Sequence, residues 1–213
     1  MVDIADIRKE YTQGRLDEET CAPDPVTQFH AWFEQYRETE PAEPTVMTLA
    51  SCDQNGQPWQ RIVLLKGYDH EGFVFFTNYE SNKGQQLGDN GKASLHFFWI
   101  DMERQVQIQG EVEKISREEA EQYFHSRPRE SQLGAWASAQ SRPLENRQQL
   151  EDKFAAVSDQ FEGQTVPLPD FWGGYRIKPL RMEFWQGGAH RLHDRVEYIT
   201  DGNGGWHKQR LNP

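Results

Sequence analysis

Apolar and polar positions change rhythm twice along this chain, dividing it into a helical opening, a long β region with helices set into it, and a closing run of strands. Residues 3–11 carry a short helical pattern that ends in a mobile arm through Gly14, so residues 1–23 are expected to form a partly mobile N-terminal arm. Asp24-Pro25 supplies an N-cap and a first helical residue, and Val26, Phe29, Trp32, Phe33 and Tyr36 recur at helical spacing. That aromatic stripe predicts a helix packed on a core, which Pro41 and Pro44 end. From Thr45 the period becomes two. Thr45–Ser51 is β-branched and apolar, Asp53-Gln54-Asn55-Gly56 is a hairpin signal, and Pro58–Lys66 is the returning strand. Gly72–Thr77, Lys92–Trp99 and Arg104–Ile115 are further strands, with a short helix over 82–89. Within Arg104–Ile115, Val106, Ile108 and Val112 share one face and Gln105, Gln107 and Gln109 the other. Ser116-Arg117-Glu118-Glu119 is a capping box that opens a helix to about Ser126, and helical patterns continue over 129–140 and 144–161. Trp172–Ile177, Leu180–Gln186, His190–Ile199 and Gly205–Arg210 predict the closing strands. Antiparallel strands joined by hairpin turns, with helices between them, point to a mainly β (α+β) chain: a β-barrel with peripheral helices, built as a single domain over 1–213.

Charge narrows the partners. The 213 residues carry a formal net charge of −11, which argues against a nucleic acid and leaves room for local basic pockets. No apolar run approaches a membrane span, the N-terminus lacks a secretory layout, and Cys21 and Cys52 form no metal or disulfide motif, so a cytoplasmic protein with reduced thiols is expected. There is no Gly-rich dinucleotide fingerprint and no P-loop, so any phosphate has to be held by side chains.

The densest chemistry lies in Trp185-Gln186-Gly187-Gly188-Ala189-His190-Arg191-Leu192-His193-Asp194-Arg195. As a strand, this segment would project Arg191, His193 and Arg195 together and Leu192 the other way, a cationic face that calls for something anionic. The plainer alternative is a solvated edge strand. Other basic groups are scattered: Arg61 and Lys66, which strict alternation sends to opposite faces; Lys83; and Arg127 with Arg129. Ser81, Ser131 and Ser141 offer hydroxyls. Singly, each is more simply a surface charge, and Tyr123 with Arg127 a helical i, i+4 packing pair. His190 and His193 suggest a metal pair, but alternation separates their rings and no carboxylate-rich motif accompanies them, so no metal is expected.

In combination the motifs resemble the pyridoxine (pyridoxamine) 5′-phosphate oxidase family. The carrying segments are Arg61-Ile62-Val63-Leu64-Leu65-Lys66, Phe76-Thr77-Asn78 with Ser81 and Lys83, Arg104-Gln105-Val106, and Tyr123 to Arg129. Ser131 to Trp136, Gln140-Ser141, Pro167 to Gly174, Glu183 to Gly188, His190 to Arg195 and Arg210-Leu211-Asn212-Pro213 complete the set. The resemblance implies an FMN-binding split β-barrel and a homodimer with flavin at the subunit interface. It also implies oxidation of pyridoxine 5′-phosphate or pyridoxamine 5′-phosphate to pyridoxal 5′-phosphate, with dioxygen reduced to hydrogen peroxide. It assigns FMN to Arg61, Ile62, Val63, Leu64, Leu65, Lys66, Phe76, Thr77, Asn82, Lys83, Gln105, Gln140, Ser141, Trp185 and Arg195. Lys66, Tyr123, Arg127 and Ser131 match the substrate phosphate site. Arg191, Leu192 and His193 lie over the substrate ring, Arg191 and His193 as the catalytic pair, and Arg8, Lys9, Glu10 and Tyr11 match a segment that covers the site. Asn82 stands where the family commonly has a basic residue, which implies one fewer charge-assisted hydrogen bond to the flavin phosphate. Two other readings of the same barrel are a flavin or deazaflavin reductase and a non-catalytic carrier of FMN or pyridoxal phosphate.

Overall fold

The computed structural model describes Asp6 and residues 9–213. The helix expected over 3–11 and Arg8 lie largely outside those residues, and residues 9–23 run without helix or strand. Asp24 caps α1 (Pro25–Glu38) by accepting hydrogen bonds from Val26 N at 3.0 Å and Thr27 N at 2.9 Å. The apolar stripe of α1 plugs the sheet: the Phe29 ring lies 5.0 Å from Tyr68, Phe73 and Phe97, and Trp32 lies 5.3 Å from Phe184.

The strands are β1 (Val46–Cys52), β2 (Pro58–Leu64), β3 (Gly67–Asp69), β4 (Gly72–Asn78), β5 (Lys92–Trp99), β6 (Arg104–Lys114), β7 (Trp172–Gln186), β8 (Asp194–Thr200) and β9 (Trp206–Leu211). They form a curled antiparallel sheet in the order β2-β1-β5-β6-β7-β4-β3, with β8 on β7 and β9 on β8. At the β1–β2 turn, Asp53 accepts from Asn55 N and Gln57 N while Gly56 takes a φ of 78° that only glycine adopts without strain. The two strands expected over 172–177 and 180–186 are one. β7 runs through Pro179 because the β6–β7 register shifts at Gln109/Gly110, an irregularity where the missing proline N–H costs no ladder bond. Gly110 is needed there, since a Cβ would fall 1.9 Å from Lys178 O.

Helices α2 (Asn82–Asn90), α3 (Arg117–Ser126), α4 (Arg129–Ala137) and α5 (Arg147–Gln160) lie outside the sheet. The capping box at Ser116 and Glu119 forms as expected, and α4 and α5 stop short of the ranges predicted for them. A second apolar cluster, including Phe124, Leu133, Phe161, Val166 and Trp172, fixes α3 to α5 against the start of β7. No helix among the described residues is long and apolar enough to cross a membrane.

Candidate active site

One cavity of about 510 Å³ opens between the end of β2, β4, α3 and α4, lined by Leu64, Lys66, Phe76, Thr77, Lys83, Tyr123, Arg127, Ser131, Gln140 and Trp172 among others. Lys83, at the start of α2, donates to Gln140 Oε1 at 3.1 Å and to Thr77 Oγ1 at 3.3 Å. Burial, then the nearby Arg61 guanidinium, pushes its ammonium below the usual lysine range. Arg61 stands behind this group: Nη1 donates to Ser51 Oγ at 2.6 Å and Nη2 to Gln86 Oε1 at 3.0 Å. The β1–β2 register is unbroken from Val46/Leu64 to Cys52/Pro58, so β2 has no bulge. Lys66 joins the cavity because it lies beyond the end of β2, in the link to β3.

Arg127 follows α3 as its C-cap, its guanidinium 4.7 Å above the Trp172 ring. Its Nη1 is buried with no hydrogen-bond partner. Tyr123 stacks on Phe76 at 3.8 Å, and burial pushes its phenol up against the opposing pull of Arg127. Among the described residues, none of Arg61, Lys66, Lys83 and Arg127 stands within ion-pair distance of a carboxylate. In a chain of net charge −11, cations left without counter-charge beside one cavity are an arrangement that would suit an anion.

Several expected ligands are committed elsewhere. Ser81 caps α2, donating to Asn78 O and accepting from Gly84 N. Arg129 donates to Phe161 O and Gln164 O, which ties α4 to the loop after α5. The Leu65 side chain belongs to the barrel core. Asn82 lines a neighbouring cleft with Asp53, Gln86 and Asp89, while Ile62 and Val63 line the cation cavity and Ser141 is exposed, at φ 68°, beside Gln140.

A second group sits on the outer face of the sheet. Gln105, Gln107, Glu183, Trp185, Arg195 and Pro213 line a hollow of about 210 Å³. Cross-strand register aligns Gln105, Trp185 and Arg195 in one row and Gln107 with Glu183 in the next, so the alternation read for β6 holds. Glu183, part of a motif segment but given no role from sequence, is the anion that answers this face. Its buried carboxylate accepts from Arg195 Nε at 2.8 Å and Arg181 Nη2 at 2.9 Å, and the two cations overcome its desolvation to hold it below the usual glutamate range.

The strand predicted over 190–199 begins only at Asp194. Ala189–Arg191 form a 3-10 turn with His190 at φ 56° and Arg191 at φ 62°, because the chain has to reverse after Gly187-Gly188. The three-residue alternation therefore fails: Arg191 and Leu192 are exposed, and His193 packs 4.7 Å from the Trp185 ring. Gly188 N–H donates to His193 Nδ1 at 3.1 Å. Tyr11 closes on the same pair, 5.6 Å from Trp185 and 5.7 Å from His193, and His190 N donates to Glu10. A cavity of about 610 Å³ lined by Tyr11, Arg15, Gly188, His190, Leu192 and Asp194 adjoins this turn. Among the described residues no group of three or more His, Cys, Asp and Glu is placed to hold a metal.

Residues 33–161 match a family described as pyridoxamine 5′-phosphate oxidase, and residues 172–213 match the pyridoxine 5′-phosphate oxidase C-terminal dimerisation region. The chain belongs to the pyridoxamine 5′-phosphate oxidase family. Relatives named pyridoxine/pyridoxamine 5′-phosphate oxidase include one from Synechocystis, 52% identical over 213 residues and covering 100% of this chain and 99% of its own. One from Teredinibacter turnerae is 52% identical over 212 residues, covering 100% of each chain. Among solved structures, PhzG from Burkholderia lata, in complex with tetrahydrophenazine-1-carboxylic acid, superposes at a TM-score of 0.86 with 29% identity over 92% of this chain and 95% of its own. A pyridoxamine 5′-phosphate oxidase-related, FMN-binding protein from Nostoc punctiforme shares the fold at a TM-score of 0.70 and 14% identity, over 90% of this chain and 100% of its own. The curled sheet with its outer helices is thus the split barrel of this oxidase family.

Proposed function

We infer that this chain is an FMN-dependent oxidase that converts pyridoxine 5′-phosphate and pyridoxamine 5′-phosphate to pyridoxal 5′-phosphate, with dioxygen reduced to hydrogen peroxide and, for the amine, water consumed and ammonia released. The observation that carries this reading is the buried, partnerless Arg127 Nη1 in a cavity whose cations lack carboxylates. A donor so placed is costly unless a ligand completes it, and a phosphate dianion suits a planar guanidinium. Lys66, Tyr123, Arg127 and Ser131 hold the substrate phosphate in this reading. The residues also fit FMN, since Arg61 and Lys83 form a second cationic pair with Thr77 and Gln140 arranged around Lys83.

Among the described residues, none lines both the cation cavity and either the hollow at Arg195 or the cavity beside the Gly187-Gly188 turn. We therefore place FMN at the interface of a homodimer, where Gln105, Trp185, Arg191, His193 and Arg195 of one protomer meet the cation cavity of its partner. The match of residues 172–213 to a dimerisation region supports this arrangement. Each chain acts as one domain, and its two free thiols, Cys21 and Cys52, suit the cytosol.

When bound, FMN supplies the two-electron chemistry by accepting hydride from the substrate's C4′ carbon. The protein orients that carbon. Arg191 covers the pyridine ring, Glu183 fixes the direction of the Arg195 guanidinium, and Arg127 with Lys66 anchors the far end of the substrate. Because Nδ1 of His193 accepts from Gly188 N–H, the neutral ring carries its proton on Nε2 and offers a donor to the substrate's 3-oxygen. His193 is then a positioning group. His193→Ala is expected to slow anaerobic flavin reduction by about 10- to 100-fold, the scale of one or two lost hydrogen bonds, with His193→Asn recovering part of the loss. Complete loss of flavin reduction in both variants would make the imidazole an obligatory base.

Incubating the FMN-loaded protein with pyridoxine 5′-phosphate in air tests the function. Pyridoxal 5′-phosphate and peroxide are expected in equal amounts. Turnover that requires a reduced nicotinamide or deazaflavin would identify a reductase, and flavin binding without turnover a carrier.

A further inference from the structure

Glu103 is one of the most enclosed carboxylates in the chain, its side chain 1% exposed, yet it lies outside every site described above. It ends the 3-10 turn Ile100–Met102 in the left-handed conformation, at φ 54°, a geometry that aims its side chain toward the N-terminal segment. Its side-chain partners all come from that segment. Oε2 accepts from Thr12 N at 2.7 Å and Gln13 N at 3.0 Å, and Oε1 pairs with Lys9 Nζ at 3.1 Å. Burial pushes the carboxyl up, but these hydrogen bonds outweigh it and hold the group below the usual glutamate range. The main chain of Glu103 does separate work: its carbonyl accepts from Gly187 N at 2.7 Å, which ties the same turn to the Gly187-Gly188 reversal.

Between the anchored residues lies Tyr11, whose ring rests on Trp185 and His193. The segment lies so close to the reversal that a Cβ at Gly187 would sit 2.8 Å from Tyr11 Cβ and 3.1 Å from Glu103 Cβ. Downstream, Leu16 N donates to Asp194 Oδ2 at 3.0 Å, so the segment is fastened on both sides of the tyrosine. A carboxylate buried with charge-assisted partners from one segment only couples its own desolvation to the seating of that segment. With the segment lifted, the carboxylate would lose these partners together with the cover that the segment supplies.

We infer that Glu103 is a positioning residue for the oxidase reaction: it clamps residues 9–13 against the Gly187–His193 turn and so holds Tyr11 over His193 and Trp185. The effect on turnover rests on the oxidase reading, whereas the clamp itself does not.

The test compares FMN-loaded wild type, Glu103→Gln, Tyr11→Ala and the double variant by hydrogen exchange, thermal unfolding and steady-state kinetics with pyridoxine 5′-phosphate. Glutamine keeps the main-chain tie to Gly187 and turns an amide N–H₂ toward Lys9 or the Thr12 and Gln13 amides. Glu103→Gln is expected to speed exchange at residues 9–13 by about tenfold or more, with little change in melting temperature. KM should rise about three- to tenfold with kcat within about twofold, and the double variant should be no worse than Tyr11→Ala. Gly187→Ala, which crowds Tyr11 with the carboxylate intact, should release the same segment. Unchanged exchange at residues 9–13 in Glu103→Gln overturns the clamp. So does a kinetic defect that adds in full to that of Tyr11→Ala, because it would then act by another route. If wild type does not oxidise the substrate, the oxidase reading fails and the exchange data still decide the clamp.

Discussion

Arg127→Met is expected to lower kcat/KM for pyridoxine 5′-phosphate by about two to three orders of magnitude while leaving the apoprotein as stable as before, or more so. The two effects have one cause. In the apoprotein the guanidinium is desolvated, lies over Trp172, and keeps Nη1 without a partner. Burial accordingly pushes its pKa below the ordinary arginine value. Methionine removes that cost and keeps apolar contact with the indole. In the complex, the same change leaves a phosphate facing an enclosed site with one charge missing, and truncating one side of a buried charged pair costs about 2–5 kcal/mol. Steady-state kinetics and thermal unfolding of the apoprotein check both halves. Unchanged kcat/KM with a large loss of stability would make Arg127 a structural residue.

Lys83→Met should weaken FMN binding about 10- to 150-fold, the equivalent of one charge-assisted hydrogen bond worth about 1.5–3 kcal/mol. A flavin-fluorescence titration reads this directly, and an unchanged dissociation constant would remove Lys83 from the flavin site. The pH dependence gives a second signature. The pKa of Lys83 is lowered in the folded apoprotein by burial and by Arg61. Below that lowered pKa, the protonated lysine therefore costs apoprotein stability. The cost is relieved as pH rises through the folded pKa toward the ordinary lysine value, because the unfolded state then binds more protons. FMN affinity moves the opposite way, falling over the same range as the ammonium loses its charge. In Lys83→Met both trends should flatten.

Local rules were legible where the signal and the structure lie within a few residues of each other. The Asp24 cap, the Ser116–Glu119 box, the Asp53–Gly56 turn and the glutamine face of β6 all appear as the residues imply. The failures arise where a distant partner decides. β7 reads as two strands because Lys178-Pro179 looks like a break, and only its pairing with β6 at Gly110 carries it through. The Arg191-x-His193-x-Arg195 alternation assumed a strand that a left-handed turn at His190 and Arg191 replaces. The cationic face does have its anion, but it is Glu183 on the adjacent strand, reached through register.

Candidate site residues divide in the same way. The resemblance gives Lys83 to the flavin, Tyr123, Arg127 and Ser131 to the substrate, and Lys66 to both, and the fold brings all five to one cavity from the β2–β3 link, α2, α3 with its cap, and α4. Residue type and spacing do not separate Arg127, with its open donor, from Arg129, whose guanidinium is consumed by Phe161 O and Gln164 O; only the family resemblance does. Glu103 carried no local signal, since its partners lie about ninety residues away.

On the proposed reading, the unpaired cations of the cavity between β2, β4, α3 and α4 hold a phosphate. The most direct measurement is the ratio of kcat/KM for pyridoxine 5′-phosphate to that for pyridoxine itself, at fixed FMN saturation. A site built to hydrogen-bond a charged group rejects an analogue lacking it by about four orders of magnitude, since its donors are left buried and unpaired. On that reading, a ratio of about 10³ or more is expected, falling toward unity in Arg127→Met. A ratio near unity, with both alcohols oxidised at equal rates, would contradict it.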